Sequence, residues 1–174
     1  MLRAFEGKTP ELGADAWVDP AALVIGDVVL GAEASVWPMT VIRGDVNYIR
    51  IGARTNIQDG TIVHVAHAGG MNPEGYPTIV GEDVTIGHNA VIHACTIGDR
   101  CLVGMSATVM DGSVLEDEVI VGAGSMVPPG KHLRAGHLYI GNPAREKRPL
   151  SDDEKAFLRY SAGHYVELAA RHRR

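Results

Sequence analysis

Cysteine is scarce in this chain. Its 174 residues include two, Cys95 and Cys101, which form no CxxC pair. That excludes a disulfide framework and points to a reduced, cytoplasmic setting. Aromatic residues make up only 5%, while glycine is abundant and Val and Ile dominate the apolar set. Such a composition suits short strands and tight turns rather than a helical bundle. A surplus of positive charge is also missing. The net charge is −5, which offers nothing to nucleic acid or to an acidic membrane surface. No hydrophobic run approaches the length of a membrane span, and Met1-Leu2-Arg3-Ala4-Phe5-Glu6 lacks the apolar stretch of a signal peptide. The length fits one domain with a small appendage.

What the chain does have is a repeat of six. Every sixth residue from Val18 reads Val18, Val24, Leu30, Val36, Ile42. Nine residues on, the series resumes as Ile51, Ile57, Val63, and after a break as Val80, Ile86, Ile92. One residue is skipped, and it continues Ile97, Val103, Val109, Leu115, Val121, Val127, Leu133. Glycine often follows the aliphatic residue, as in Leu30-Gly31, Ile86-Gly87 and Val103-Gly104. A period of six is the mark of a hexapeptide β-helix. Each hexad is a short strand and a corner, three hexads close a triangular coil, and the aliphatic residue points inward onto its equivalent one coil away. Six coils at about 4.8 Å would make a prism of roughly 29 Å.

The interruptions are informative. The spacing of nine at Asp45-Val46-Asn47 predicts a bulge. Residues 66–78, with Gly, Pro and Asn and no hexad pattern, predict an extruded loop. The repeat ends near Gly141-Asn142-Pro143, so the β-helix is expected over 1–143 and a linker with a C-terminal helix over 144–174. Arg145, Lys147, Arg148 and Pro149 form the basic linker. Ser151 and Glu154 make a capping box, and Leu158, Ala162, Tyr165 and Ala169, flanked by Phe157 and Leu168, form the apolar stripe that should lie along the prism.

Three histidines stand out against this frame. If loop and bulge preserve the count of faces, Ile42, Val63 and Ile92 share a face, and Arg43, His64 and His93 form an outward column after them. Ile57 and Ile86 lie on the preceding face, and Asp59 and His88, two residues further on, form a second column. His64 and His93 would be about one strand spacing apart, near 4.8 Å, and able to reach one metal at roughly 2.0–2.1 Å. His88 lies around a corner and diverges from them. A second copy of the chain would have to supply it, and three copies about a threefold axis would close three such sites. Asn56, Gln58 and Asp59 sit in or beside the same columns. Gln58 could orient an attacking oxygen or stabilise a developing oxyanion.

Val41-Ile42-Arg43-Gly44-Asp45, Asn56-Ile57-Gln58-Asp59-Gly60, His64, Gly87-His88 through His93, and Ile140-Gly141-Asn142-Pro143-Ala144 together resemble the motifs of the γ-class carbonic anhydrase family. The resemblance covers nearly the whole chain. It implies an all-β solenoid, a left-handed parallel β-helix with a C-terminal helix packed along it. It implies a homotrimer with one metal per interface, held by His64, His88 and His93, two from one chain and one from the next. The metal would be Zn²⁺, with Fe²⁺ or Co²⁺ able to serve, and a metal-bound hydroxide would hydrate CO₂ reversibly to bicarbonate. Gln58 would contact that hydroxide with Asn56 and Asp59 in support, Arg43 and Asp45 would be interfacial, and Tyr160 aligns loosely with an active-site tyrosine. The sequence departs from the family at Val46, where active members carry a glutamate, and in the loop after His64, which offers only His67 and Glu74 as proton shuttles. The rival readings are a CoA-thioester acyltransferase with a histidine base, a thioester hydrolase acting on a small acyl substrate at the same site, and a non-catalytic metal-binding scaffold.

Overall fold

A computed structural model describes residues 1–69 and 72–173. The chain is a left-handed parallel β-helix of three-strand coils, with one helix, Asp152–His172, laid along it. One face of the prism is a ladder of eight strands. Trp17–Val18, Ser35–Val36, Asn56–Ile57, Thr85–Ile86, Leu102–Val103, Ile120–Val121 and His137–Gly141 stack in parallel, and Ala144–Pro149 adds itself antiparallel at the end. The other two faces form a twelve-stranded sheet joined through the long strand Val41–Ile51. The first half of that strand pairs with Ile62–His64 and its second half with Thr78–Val80.

The six-residue tally reads the core. All of the residues counted above are buried except Val18, which packs half-buried against them. The positions two residues earlier also face inward and carry small side chains, among them Ala34, Thr55, Ala90, Cys95, Cys101 and Ser113. This accounts for both cysteines. They are free and buried, and burial pushes each thiol up to about 12, so neither supplies a thiolate nucleophile. The prism is taller than the six coils counted. Leu2–Arg3 and Glu11–Leu12 already pair with Leu23–Leu30, before the tally begins. These end strands are exposed and need no inward aliphatic residue to reveal them. The basic segment after Pro143 also differs from expectation. It is no linker but the antiparallel strand Ala144–Pro149, whose donors and acceptors close the end of the ladder.

The interruptions fall where the spacing put them. Against Leu23–Leu30, the pairing of Val41–Ile51 passes from Gly26↔Gly44 to Val28↔Ile49, so Asp45 to Tyr48 bulge outward. Gly26 takes a positive φ of 78° there, and a Cβ on it would lie 2.3 Å from the Gly44 carbonyl oxygen. Ala66 and Tyr76 bridge antiparallel at the neck of the extruded loop, and Gly69 bridges Asn72. Gly70 and Met71 of that loop lie outside the described residues.

Helix Asp152–His172 starts at the Ser151/Glu154 capping box. Leu158, Ser161, Ala162 and Ala169 are its buried side chains, and it packs on strands Ser35–Val36, Asn56–Ile57 and Thr85–Ile86. Phe157, expected beside the buried stripe, is half exposed. At its far end His172 and Tyr165 pack on Trp37 at 5.2 and 5.3 Å between ring centres, and His172 also meets Trp17 at 5.4 Å. No helix among the described residues is long and apolar enough to cross a membrane.

Candidate metal centre

Strands Ile62–His64 and Val91–His93 pair in register, with Val63 opposite Ile92 and His64 opposite His93. Val63 and Ile92 point into the core, so the alternation of a strand turns both histidines outward, one above the other. His64 Nδ1 lies 3.3 Å from His93 Nε2. The far nitrogen of each ring meets a carboxylate: His64 Nε2 is 3.0 Å from Asp45 Oδ1, and His93 Nδ1 is 2.6 Å from Asp111 Oδ1. Arg43 ion-pairs with Asp45 from the other side.

The protonation state follows from these partners. Burial works to raise the Asp45 carboxyl, but the hydrogen bonds from His64 and Arg43 outweigh it and hold it below the usual carboxylate range. Burial lowers His64 and the nearby Arg43 charge adds to that; the Asp45 bond opposes both without overcoming them. His64 is therefore a neutral imidazole at neutral pH. An ionised carboxylate only accepts, so the N–H of His64 sits on Nε2 and that of His93 on Nδ1. The ring nitrogens turned away from these carboxylates face each other across 3.3 Å, close enough to share one cation between them. A carboxylate behind each ring, fixing the tautomer and leaving the front nitrogen bare, is the support that metal-binding histidines use. The donor set fits a divalent metal.

His88 stands elsewhere. It lies at the corner after Thr85–Ile86, with Nδ1 2.9 Å from Asp59 Oδ2 one coil below. Gly60, at a φ of 71°, lets the Asn89 side chain lie over the chain here; a Cβ on it would sit 2.3 Å from Asn89 Oδ1. The Asp59 contact again occupies one nitrogen of His88 and leaves Nε2 free. Among the described residues no group of three or more His, Cys, Asp or Glu side chains is arranged to hold a metal within the chain. One chain thus presents a two-nitrogen half and, around a corner, a one-nitrogen half.

Gln58 is buried beside His88 rather than beside the histidine pair, with the buried Asn56 behind it. Gln58 Nε2 donates to Asn56 Oδ1 at 3.0 Å, which turns the Gln58 carbonyl oxygen away from Asn56. On the opposite side of the corner, His64 and His93 form one wall of an open cavity of about 750 Å³, together with Val46, His67, Tyr76 and Asp111. His67 is therefore in the same cavity as the pair. Glu74 is exposed on the loop and does not line it. Tyr160 is 65% exposed on the outer side of the helix, stacked 5.9 Å from His164, and the structure does not bring it to the histidines.

Two further elements escaped the sequence reading. Asp111 orients His93, and Thr85 and Ser161 stand behind Asn56. Asp111 carried a usable signal. It comes two residues after core residue Val109, which stacks on Ile92, the same offset by which Asp59 follows Ile57 and His88 follows Ile86.

Residues 77–109 and 94–129 match the family model described as bacterial transferase hexapeptide (six repeats). Over 172 residues the chain is 46% identical to gamma carbonic anhydrase 2, mitochondrial, of Arabidopsis thaliana, which covers 99% of this chain and 61% of the plant protein. The chain belongs to the γ-class carbonic anhydrase family of hexapeptide-repeat proteins. Protein YrdA of Escherichia coli is 52% identical over 167 residues, 96% of this chain and 91% of that one. A crystal structure of a hexapeptide transferase family protein from Anaplasma phagocytophilum superposes with a TM-score of 0.90 at 39% identity, covering 98% and 96% of the two chains.

Proposed function

We propose that this chain is a metal-dependent carbonic anhydrase-like enzyme that interconverts CO₂ and bicarbonate as a homotrimer. Each site would take His64 and His93 from one copy and His88 from the next. The observation that carries this is the facing pair of ring nitrogens, His64 Nδ1 and His93 Nε2 at 3.3 Å, on rings each backed by a carboxylate. His88 carries the same backing from Asp59 and has no route to them within its own chain. Zn²⁺ fits three imidazoles and an open fourth position, and Fe²⁺ or Co²⁺ would fit the same nitrogens. When bound, such an ion acidifies water so that a nucleophile is available at neutral pH.

The chain's own residues supply the rest. Asp45, Asp59 and Asp111 hold the three rings in their tautomers, and Arg43 keeps Asp45 ionised. The Gln58 carbonyl oxygen, turned outward by Asn56, accepts a hydrogen bond from the attacking water and so orients it. His67, which lines the cavity of the histidine pair, would pass the released proton outward. Tyr160, exposed on the helix, lies away from the histidine pair of its own chain. The buried free thiols suit a reducing cytoplasm.

A second reading has one observation in its favour. The cavity beside His64 and His93, at about 750 Å³ and walled in part by Val46, Val65 and Tyr76, is far larger than CO₂ needs and would admit the acyl group of a thioester. Metal analysis of protein purified without added metal or chelator, followed by stopped-flow CO₂ hydration beside a thioester panel, separates the two. Saturable CO₂ hydration that chelation abolishes is expected. Thioester cleavage without CO₂ hydration would overturn the assignment, and metal without either activity would leave a scaffold. Mixing His88→Ala with His93→Ala subunits tests the shared site. Each alone should be inactive, while mixed trimers should regain part of the activity, because some interfaces then join an intact pair to an intact His88.

A further inference from the structure

Behind Gln58 a line of four buried polar side chains runs to the C-terminal helix. Gln58, Asn56, Thr85 and Ser161 are 5, 0, 5 and 7% exposed. Gln58 Nε2 is 3.0 Å from Asn56 Oδ1, Asn56 Nδ2 is 3.0 Å from Thr85 Oγ1, and Thr85 Oγ1 is 2.9 Å from Ser161 Oγ. Three strand or helix segments far apart in the chain meet in this line.

The direction of both amide bonds in it is determined. Asn56 Nδ2 also lies 3.3 Å from the Val84 carbonyl oxygen, a backbone atom that can only accept. A flipped Asn56 would set two oxygens against each other there, so its nitrogen must face Val84 and Thr85 and its oxygen must face Gln58. Thr85 then accepts from Asn56, and its own proton has Ser161 Oγ to go to. With the polarity so set, the Gln58 nitrogen turns inward and its carbonyl oxygen faces the groove of about 480 Å³ that it lines with His88, Phe157 and Tyr165. Removing a hydroxyl from a buried line of this kind leaves its neighbour without a partner and frees the next group to turn.

The geometry points to Ser161, with Thr85, as positioning residues that fix the orientation of the Gln58 amide from the C-terminal helix. The catalytic weight of that orientation rests on the proposed carbonic anhydrase reading; the orientation itself does not. The helix therefore does more than cover an apolar face. Its register on the β-helix is read out, through three hydrogen bonds, at a group beside His88.

The test compares Ser161→Ala and Thr85→Val with Thr85→Ser, each checked for a retained fold and the oligomeric state of the wild type. The Gln58 side-chain NH₂ resonances, assigned by their loss in Gln58→Glu, are followed in metal-free protein. In the wild type and Thr85→Ser they should show slow hydrogen exchange and one fixed pair of shifts. In Ser161→Ala and Thr85→Val the shifts should move and exchange quicken, and CO₂ hydration should fall about tenfold in kcat/KM at unchanged metal content, as for a misplaced site group. Wild-type resonances and exchange in both hydroxyl-deleting variants would overturn the positioning role. Shifted resonances in a protein without CO₂ hydration would leave it standing and remove only the carbonic anhydrase reading. If Thr85→Val does not fold, Ser161→Ala carries the same comparison.

Discussion

Two edges of the same prism are built by the same rule and end in opposite states. At one corner the residues in successive coils are Glu33, Arg54, Asp83, Arg100 and Glu118, alternating in sign and all at positive φ between 53° and 58°. Arg54 reaches Asp83 at 2.7 Å and Glu82 at 2.8 Å, and Arg100 reaches Glu118 at 3.3 Å and Asp117 at 3.2 Å. There each cation finds its counterion within the chain. On the histidine edge, His64, His88 and His93 each find one carboxylate and keep one nitrogen bare. Stacking coils at a fixed spacing brings like positions together in both places. Opposite charges so stacked close the edge and serve stability. Like groups so stacked leave unmet chemistry, and that is what a binding site requires.

The strongest way to break this contrast is to remove a bare nitrogen. His93→Ala should lower bound metal by about tenfold or more, while changing the stability of the metal-free protein by only about 0.5 kcal/mol, since its ring is partly exposed. Metal content by mass spectrometry decides it, and wild-type metal in this variant would sink the site. Next comes the supporting carboxylate. Asp111→Asn should weaken metal affinity by about 10- to 100-fold with the same melting temperature, measured by competition with a chromogenic chelator. An unaltered affinity would mean that His93 holds its tautomer without Asp111.

The charged corner should respond in the reverse sense. Arg54→Met should cost about 1 kcal/mol or less, a loss that shrinks as salt is raised, and should leave metal binding alone. A drop in metal affinity would show that the two edges are coupled. The smallest expected effect is at the helix cap. Arg148 and the Ser151 backbone hold Glu154 down to about 2. A carboxyl depressed in the folded state contributes stability that is complete above its unfolded value near 4.5 and is lost as pH falls from there toward 2. Glu154→Gln should flatten that part of the melting temperature against pH curve and change nothing at the histidine edge. An identical acid limb in the variant would show that the cap does not set it.

Much of this was legible before any coordinates. The aliphatic tally works because each inward position meets only its equivalents one coil away, so burial repeats with the period of the chain. The same periodicity puts Val63 beside Ile92 and hence His64 beside His93. The tally missed the end strands Leu2–Arg3 and Glu11–Leu12 because the last coils have one neighbour and need no buried aliphatic. It read the segment after Pro143 as a linker because Ala144–Pro149 is charged and exposed, and its strand pairing is backbone alone. Asp111 was missed because it follows its core residue Val109 by two, whereas His93 follows Ile92 by one, so the column read through His64 and His93 does not pass through it. Ser161 was hidden by sequence distance, 76 residues from Thr85.

By itself, then, the sequence determined the solenoid, its core and the pairing of two histidines, because these depend on a local period and on the fixed rise of stacked strands. Only the tertiary structure decided which nitrogen of each ring is bare, which carboxylate stands behind it, and how the C-terminal helix reaches Gln58. Those depend on side chains brought together from distant coils and on hydrogen bonds whose direction is set by their partners, and no spacing along the chain encodes that direction.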